Sequence, residues 1–469
     1  MNDRPLPVEI GAPESAARVV RAVRPAGLEA LLASLPAAQT AWLHDAGFSA
    51  KAQELVLLPG EHGVAGAVLG LGTETAPHAF GGLAFALPAD SLWRIEPADL
   101  SPETATLGFL LGAYAYDRLH PARRAPARLC VPASSEALAS AAAVWMVRDL
   151  VNTPSNLLGP SDLADAAEAL ARRYGAEPMR VAGAALEEGY PTVAAVGRGS
   201  VRAPVVAGFS WQGSKATSAS PLIALVGKGV CFDSGGYDLK PPAGMLRMKK
   251  DMGGAAHVLG LARMLMQADL PVRLMLRIGC VENAISGSAI HPLDVVKTRR
   301  GLTVEIGNTD AEGRLVMCDL LAETSDAHPD LLVDCATLTG AARVALGPEL
   351  AALFCNDDAW AEALLGAGNA VGDPLWRLPL WDSYDSWLDS NVADLNNVSS
   401  KPMAGAVTAA LYLRRFVAPG VPWIHLDLYA WNDSARPGRP EGGEAQAIRA
   451  LHALIVNKIN VMAESDILR

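Results

Sequence analysis

The chain is predicted to be an α/β protein of two domains: a smaller N-terminal α/β domain and a larger C-terminal α/β domain whose central, mostly parallel sheet is flanked by helices. Three observations carry this. A length of 469 residues with 51% hydrophobic and 19% charged side chains suits a globular chain of two or three domains with a large core. Past residue 157, short apolar runs alternate with helical periodicity, the pattern of a parallel sheet covered on both faces. Between the halves, an Ala-rich helical stretch stops at the breaker cluster Asn152-Thr153-Pro154-Ser155-Asn156.

Taken in order, residues 1–133 form the N-terminal domain, with a strand expected at 55–58 and a helix at 27–34, and no cluster of catalytic residue types. Residues 134–156 are a linking helix and turn. Residues 157–469 hold the larger domain, with buried strands expected at 222–226, 274–278, 331–336 and 424–428 and helices at 255–266 and 315–323. In a sheet of this kind functional groups gather at the carboxyl ends of the strands.

Composition excludes several function classes. With 39 basic against 50 acidic side chains the formal charge is −11, and no basic stripe is present to follow a nucleic-acid backbone. The N-terminus lacks an apolar signal segment and no run of 18 apolar residues follows, so a cytoplasmic protein without membrane contact is expected. The six cysteines show no CxxC pairing and read as reduced, buried thiols; the nine histidines are dispersed, with no HExxH.

Two segments place charge where a buried strand end would otherwise forbid it: 226–236 with its continuation through Lys240 to Asp251-Met252-Gly253-Gly254, and Asn308-Thr309-Asp310-Ala311-Glu312-Gly313-Arg314. Lys228 and Asp233 follow an apolar run among glycines; Asp251 opens one helix, and Asp310 and Glu312 open another. Each has a plainer structural role open to it. Thr309 to Glu312 fits a capping box, Asp251 an N-cap, Lys228 an exposed strand-end lysine and Arg314 half of an ion pair. Cys231 suits a small buried residue better than a soft ligand, and His257 and His291 suit ordinary helix and loop positions. If the four carboxylates converge, they repel unless protonated or bridged by cations. Two divalent ions neutralise Asp233, Asp251, Asp310 and Glu312, with Lys228 as a neutral amine ligand and Lys240 and Arg314 as surrounding cations.

At these residues the chain resembles the leucyl aminopeptidases, or cytosol aminopeptidases. The signature N-T-D-A-E-G-R stands complete at 308–314, G-K-G-x-x-F-D-S-G-G at 227–236, D-M-G-G at 251–254 and A-T-L-T-G-A at 336–341. The likeness runs from about residue 107 to the end. It implies a metal-dependent aminopeptidase that removes the N-terminal residue of peptides by attack of a hydroxide bridging two divalent ions, Zn²⁺ or Mn²⁺. Lys228, Asp233, Asp251 and Glu312 would bind one ion, and Asp233, Asp310 and Glu312 the other. Lys240 would support the oxyanion, Arg314 would hold a bicarbonate as general base, and Leu338 would add backbone contacts to that anion. Met248, Thr337 and Gly340 would line the pocket for the first side chain. After the H-L-D strand this chain carries Leu428-Tyr429-Ala430-Trp431 where small residues are usual, so Tyr429 is expected to narrow that pocket. The resemblance also implies a homohexamer. Two alternatives accompany it: a two-metal phosphoesterase, and a DNA-binding or regulatory role on the same fold.

Overall fold

The computed structural model describes residues 4–467. It forms two compact units, one running to Trp145 and taking in Asn432–Gly442, the other comprising Met146–Trp431 and the chain from Gly443 onward. A helix, Glu136–Asn152, spans the change of unit and the stretch expected to link the two halves. No helix of the described residues is long and apolar enough to cross a membrane.

In the first unit, β1 (Val8–Ile10), β2 (Arg18–Val23), β3 (Leu55–Gly60), β4 (Gly63–Gly70), β5 (Leu92–Glu96) and β6 (Arg128–Val131) form a sheet of order β1-β6-β5-β2-β4-β3. Its strands pair in parallel except for the β3–β4 hairpin. Val20, Trp93, Phe80 and Phe109 pack into the core beside it.

In the second unit the strands are β7 (Glu177–Val181), β8 (Val205–Gln212), β9 (Leu222–Asp233), β10 (Arg273–Asn283), β11 (Val295–Lys297), β12 (Thr303–Glu305), β13 (Leu331–Ala336), β14 (Ala351–Cys355), β15 (Leu375–Arg377), β16 (Leu395–Asn396) and β17 (Trp423–Asp427). The large sheet has the order β15-β14-β17-β13-β9-β10-β8-β7. Its centre, β17-β13-β9-β10, is parallel, while β14 pairs antiparallel with β17 and β8 antiparallel with β10. Helices Gly253–Gln267 and Glu312–Asp326 supply its two covers.

The expected strands are present, but β9 and β10 run on to 233 and 283, so Lys228 lies within a strand instead of after one. The glycines at 227 and 229 read as a loop in one dimension; here they are strand residues, and positive φ begins only at Gly235 (90°). One irregularity in β9 decides where its side chains point. Val281 pairs with Val230 and Glu282 with Phe232, so Cys231 is an extra residue, a bulge. Lys228 and Asp233 are an odd number of positions apart and would face opposite ways on a regular strand; the bulge resets the alternation and puts them on one face.

All six cysteines are free; five are buried, whereas Cys130 is only half-buried, because it lies on β6 near the edge of the smaller sheet. His291 is exposed, stacked on Tyr237. His257 is fully buried: Nδ1 donates to the Gly253 carbonyl at 2.6 Å, which leaves Nε2 to accept the Gln446 N–H at 2.9 Å. Gln446 in turn accepts the N–H groups of Tyr429 (3.1 Å) and Ala430 (2.9 Å) through Oε1.

Burial pushes the His257 ring down to about 4, so it is neutral in the fold. The unfolded chain takes up this proton near its ordinary value and the folded one does not, so stability is lost as the pH falls from that value toward the folded one. At pH 5 the loss is about 2 kcal/mol. The melting-temperature advantage of the native protein over His257→Gln is expected to shrink between pH 7 and pH 5; a constant gap refutes the neutral, buried assignment.

Candidate metal centre

The carboxyl ends of three of the four central parallel strands, β9, β13 and β17, meet around one cavity of about 520 Å³, and the end of β10 lies beside it, bonded to Asp233 through Asn283. Asp233 ends β9, Asn283 ends β10, Thr337 follows β13, and Leu428 and Tyr429 follow β17. Of the residues expected at the site, Lys228, Asp233, Lys240, Met248, Asp251, Asp310, Glu312, Thr337, Leu338, Gly340 and Tyr429 line this cavity. Arg314 is not among them.

The acidic groups converge. Asp233, Asp310 and Glu312 each offer an oxygen within 4.8 Å of the others. Lys228 Nζ stands 2.7 Å from Asp251 Oδ2 and 2.9 Å from Glu312 Oε1, and donates to the Thr337 carbonyl at 3.0 Å. Lys240 Nζ pairs with Asp233 Oδ2 at 2.7 Å and with Asp310 Oδ1. Lys228, Asp233, Asp251 and Glu312 are at most 3% exposed, so water does little to separate these charges.

The plainer roles are not taken up. The helix starting at Glu312 has Ala311 as its N-cap, with no side-chain cap bond; Thr309 Oγ1 donates to the Gly235 carbonyl and accepts the Asp238 N–H. The helix from Gly253 has Met252 as N-cap, which leaves Asp251 free of that duty. Lys228 is 2% exposed, which excludes a solvated strand end. Arg314 has no carboxylate within ion-pair distance among the described residues; Nη1 donates to the Asn397 carbonyl at 2.6 Å and its guanidinium carbon lies 5.8 Å from the centre of the Tyr412 ring. Cys231 faces away, and burial pushes its thiol well up, with Cys280 and Glu282 adding to the effect.

Electrostatics follow from burial. Burial, reinforced by Asp233, raises the Glu312 carboxyl to about 8 and that of Asp310 to about 6. Burial alone would lower Lys228, but Asp251, Glu312 and Asp233 outweigh it and hold the ammonium above its ordinary range. Burial would likewise raise Asp251, yet Lys228 and Lys250 keep it below the usual carboxylate value. Three buried oxygens, Asp251 Oδ2, Asp310 Oδ1 and Glu312 Oε1, have ammonium groups nearby but no hydrogen bond of acceptable geometry. Buried lone pairs of this kind, in a set of hard oxygen donors with one amine, fit divalent cations.

The backbone around the cluster is held by residues that sequence reasoning passed over. Asn283 Nδ2 donates to Asp233 Oδ1 (2.8 Å) and to the Thr309 carbonyl (3.0 Å), joining the two motifs. Asn397 clamps the 308–311 turn, accepting the Gly307 N–H at 2.8 Å and donating to the carbonyls of Asn308 (2.8 Å) and Ala311 (3.2 Å). Asp427 accepts the N–H groups of Leu338 (3.0 Å) and Thr339 (3.1 Å), so the Leu338 donor expected to face a bound anion is committed within the chain. A polar residue at the end of an apolar strand was the available signal for Asn283 and Asp427. Arg247, Lys250 and Arg343 also line the cavity unforeseen.

Comparison with known proteins agrees with this arrangement. Residues 145–452 match the cytosol aminopeptidase family catalytic domain, and residues 19–132 match the M17 aminopeptidase N-terminal domain, which extends the likeness into the first unit. A probable cytosol aminopeptidase of Nitratidesulfovibrio vulgaris is 44% identical over 395 residues, 78% of this chain and 77% of that protein. One from Caulobacter vibrioides is 40% identical, covering 75% of each chain. The crystal structure of cytosol aminopeptidase from Coxiella burnetii superposes with a TM-score of 0.90 at 43% identity, over 94% of this chain and 97% of that one. The bottromycin maturation enzyme BotP, solved in complex with Mn, gives 0.85 at 33% identity over 95% and 100%. These matches favour peptide hydrolysis over the phosphoesterase and DNA-binding alternatives. With both domains matched and the signature carboxylates gathered at the strand ends, the chain belongs to the cytosol aminopeptidase family of metal-dependent peptidases.

Proposed function

We propose that this chain removes the first residue from peptides bearing a free α-amine, with two divalent cations, zinc or manganese, held by Lys228, Asp233, Asp251, Asp310 and Glu312. The observation that carries the reading is the convergence of Asp233, Asp310 and Glu312, with Asp251 joined to them through Lys228, and with buried oxygens that accept no hydrogen bond. Lys228, Asp233, Asp251 and Glu312 would hold one ion and Asp233, Asp310 and Glu312 the other, so that Asp233 and Glu312 bridge. Bound there, the cations supply an activated water and a polarised scissile carbonyl.

The chain's own residues do the rest. Lys240, half-buried at the cavity wall, stabilises negative charge as it develops on the carbonyl oxygen. Met248, Thr337, Gly340 and Tyr429 bound the space for the first side chain, and Tyr429 narrows it. A substrate anchored by its terminal amine presents only its first peptide bond, which is the origin of exopeptidase action. Arg314 is buried with no hydrogen bond to Nε, which suits an anion such as bicarbonate acting as general base. We extend the reading to a cytoplasmic homohexamer.

Gly313 positions the lysine ligand. A Cβ there would stand 2.6 Å from Lys228 Cε and 2.7 Å from Nζ, so a methyl group at this helix start would push the Lys228 ammonium out of its place. Gly313→Ala is expected to lower metal affinity and kcat/KM roughly ten- to hundredfold with an unchanged far-UV spectrum; unaltered affinity would count against Lys228 as a ligand.

Chelation is expected to abolish hydrolysis of leucyl p-nitroanilide, and adding back manganese or zinc, each alone, to restore it. Activity that survives exhaustive chelation sinks the two-metal reading. Cations must displace the protons that Glu312 holds up to about 8 and Asp310 up to about 6, so calorimetric affinity for Mn²⁺ should weaken as the pH falls from 8 to 6. Affinity independent of pH over that range would show that these carboxylates are not the ligands.

A further inference from the structure

The cavity that holds the acidic cluster has a second wall of opposite charge. Arg247, Lys250 and Arg343 line it around Tyr429. Lys250 Nζ lies 4.8 Å from the centre of the Tyr429 ring and the Arg343 guanidinium carbon 5.0 Å, while Arg247 Nη1 donates to the Tyr429 hydroxyl at 3.3 Å. The ring gives its π-face to two cations and its oxygen to a third.

These cations differ from the two lysines of the cluster. Lys228 and Lys240 each stand within ion-pair distance of two carboxylates. Among the described residues Lys250 and Arg343 make no ion pair, although Lys250 is 6% exposed and Arg343 is at the surface. The acids nearest this wall are already engaged: Asp427 accepts the Leu338 and Thr339 N–H groups and the Thr339 hydroxyl, and Asp251 faces Lys228 and Thr337. A buried ammonium without a carboxylate is costly, and a cavity lined by it and by a guanidinium is complementary to an anion arriving from outside.

The wall is also close to the chemistry. Lys250 directly precedes the proposed ligand Asp251, and Tyr429 lies two residues past the end of β17. These residues share the cavity with Met248, Thr337 and Gly340, which the aminopeptidase reading assigns to the first side chain of the substrate.

We propose that this wall is a carboxylate site and makes the enzyme selective for peptides whose first residue is aspartate or glutamate, an inference that rests on the aminopeptidase reading. The same carboxylate chemistry is available from the C-terminus of a dipeptide. The test therefore uses two arms with the manganese-loaded full chain. The first compares kcat/KM for glutamyl, aspartyl and leucyl p-nitroanilides, which have no C-terminal carboxylate. The second compares Leu-Gly with leucyl-glycinamide. Both are repeated in Arg343→Gln, whose side chain is exposed, and in Lys250→Met, and calorimetry measures L-glutamate against L-leucine binding without turnover.

The acidic p-nitroanilides and L-glutamate are expected to be favoured by about tenfold or more, as for hydrogen bonds to a charged group. Each variant should erase most of that preference, chiefly through KM. A preference confined to Leu-Gly over its amide overturns the first-residue assignment and moves the carboxylate to the other end of the substrate. Leucyl substrates turned over as well as glutamyl ones, with variants that leave the ratio unchanged, overturn the proposal while the aminopeptidase reading stands. If the loaded protein cleaves nothing, that reading fails, and equal binding of glutamate and leucine then removes the carboxylate site as well.

Discussion

The larger unit is organised around carboxylates that water cannot reach. Asp233, Asp251 and Glu312 are at most 3% exposed, and Asp310 sits beside them. Uncompensated, such a group would neutralise itself by taking up protons, and the raised values of Glu312 and Asp310 record that tendency. Lys228 and Lys240, each set between two carboxylates, oppose it. An arrangement that keeps anions close, dry and short of hydrogen bonds is a poor way to stabilise a fold and a good way to bind cations.

Much of the surrounding backbone follows from that constraint. The bulge at Cys231 turns Asp233 onto the same face as Lys228. Asn283 ties the end of β9 to the 308–311 turn, and Asn397 holds that turn from the other side. The local capping that Thr309 and Glu312 would favour in an isolated peptide is set aside, because Thr309 bonds across to the 235–238 loop instead.

The cavity is electrostatically divided. One side concentrates acid and the other gathers Arg247, Lys250 and Arg343 about Tyr429. Tyr429 is held in place from behind: Gln446 accepts its N–H, and the Gln446 N–H is itself accepted by the neutral ring of His257. A substrate with a free amine at one end and a carboxylate a few atoms away would match a cation-loaded cluster and the basic wall beside it, which gives the division a chemical meaning within a family of aminopeptidases.

The sequence by itself determined the class of fold and the chemistry of the site's anionic half. Alternating apolar runs and helical periodicity marked β13 as it stands and the cores of β9, β10 and β17, and charges at strand ends and helix starts, together with the motifs that carry the family resemblance, pointed to Lys228, Asp233, Asp251, Asp310 and Glu312. Only the tertiary structure decided that β9 continues through its glycines, that a bulge aligns Lys228 with Asp233, that Arg314 lies off the cavity wall, and that Arg247 and Lys250, Arg343, and Tyr429, from three distant segments, share one surface. The reason is physical. Periodicity and residue type are local and can be read along one chain, whereas the direction of a side chain on a strand depends on its register with a neighbouring strand, and a charged wall depends on which distant segments that register brings together.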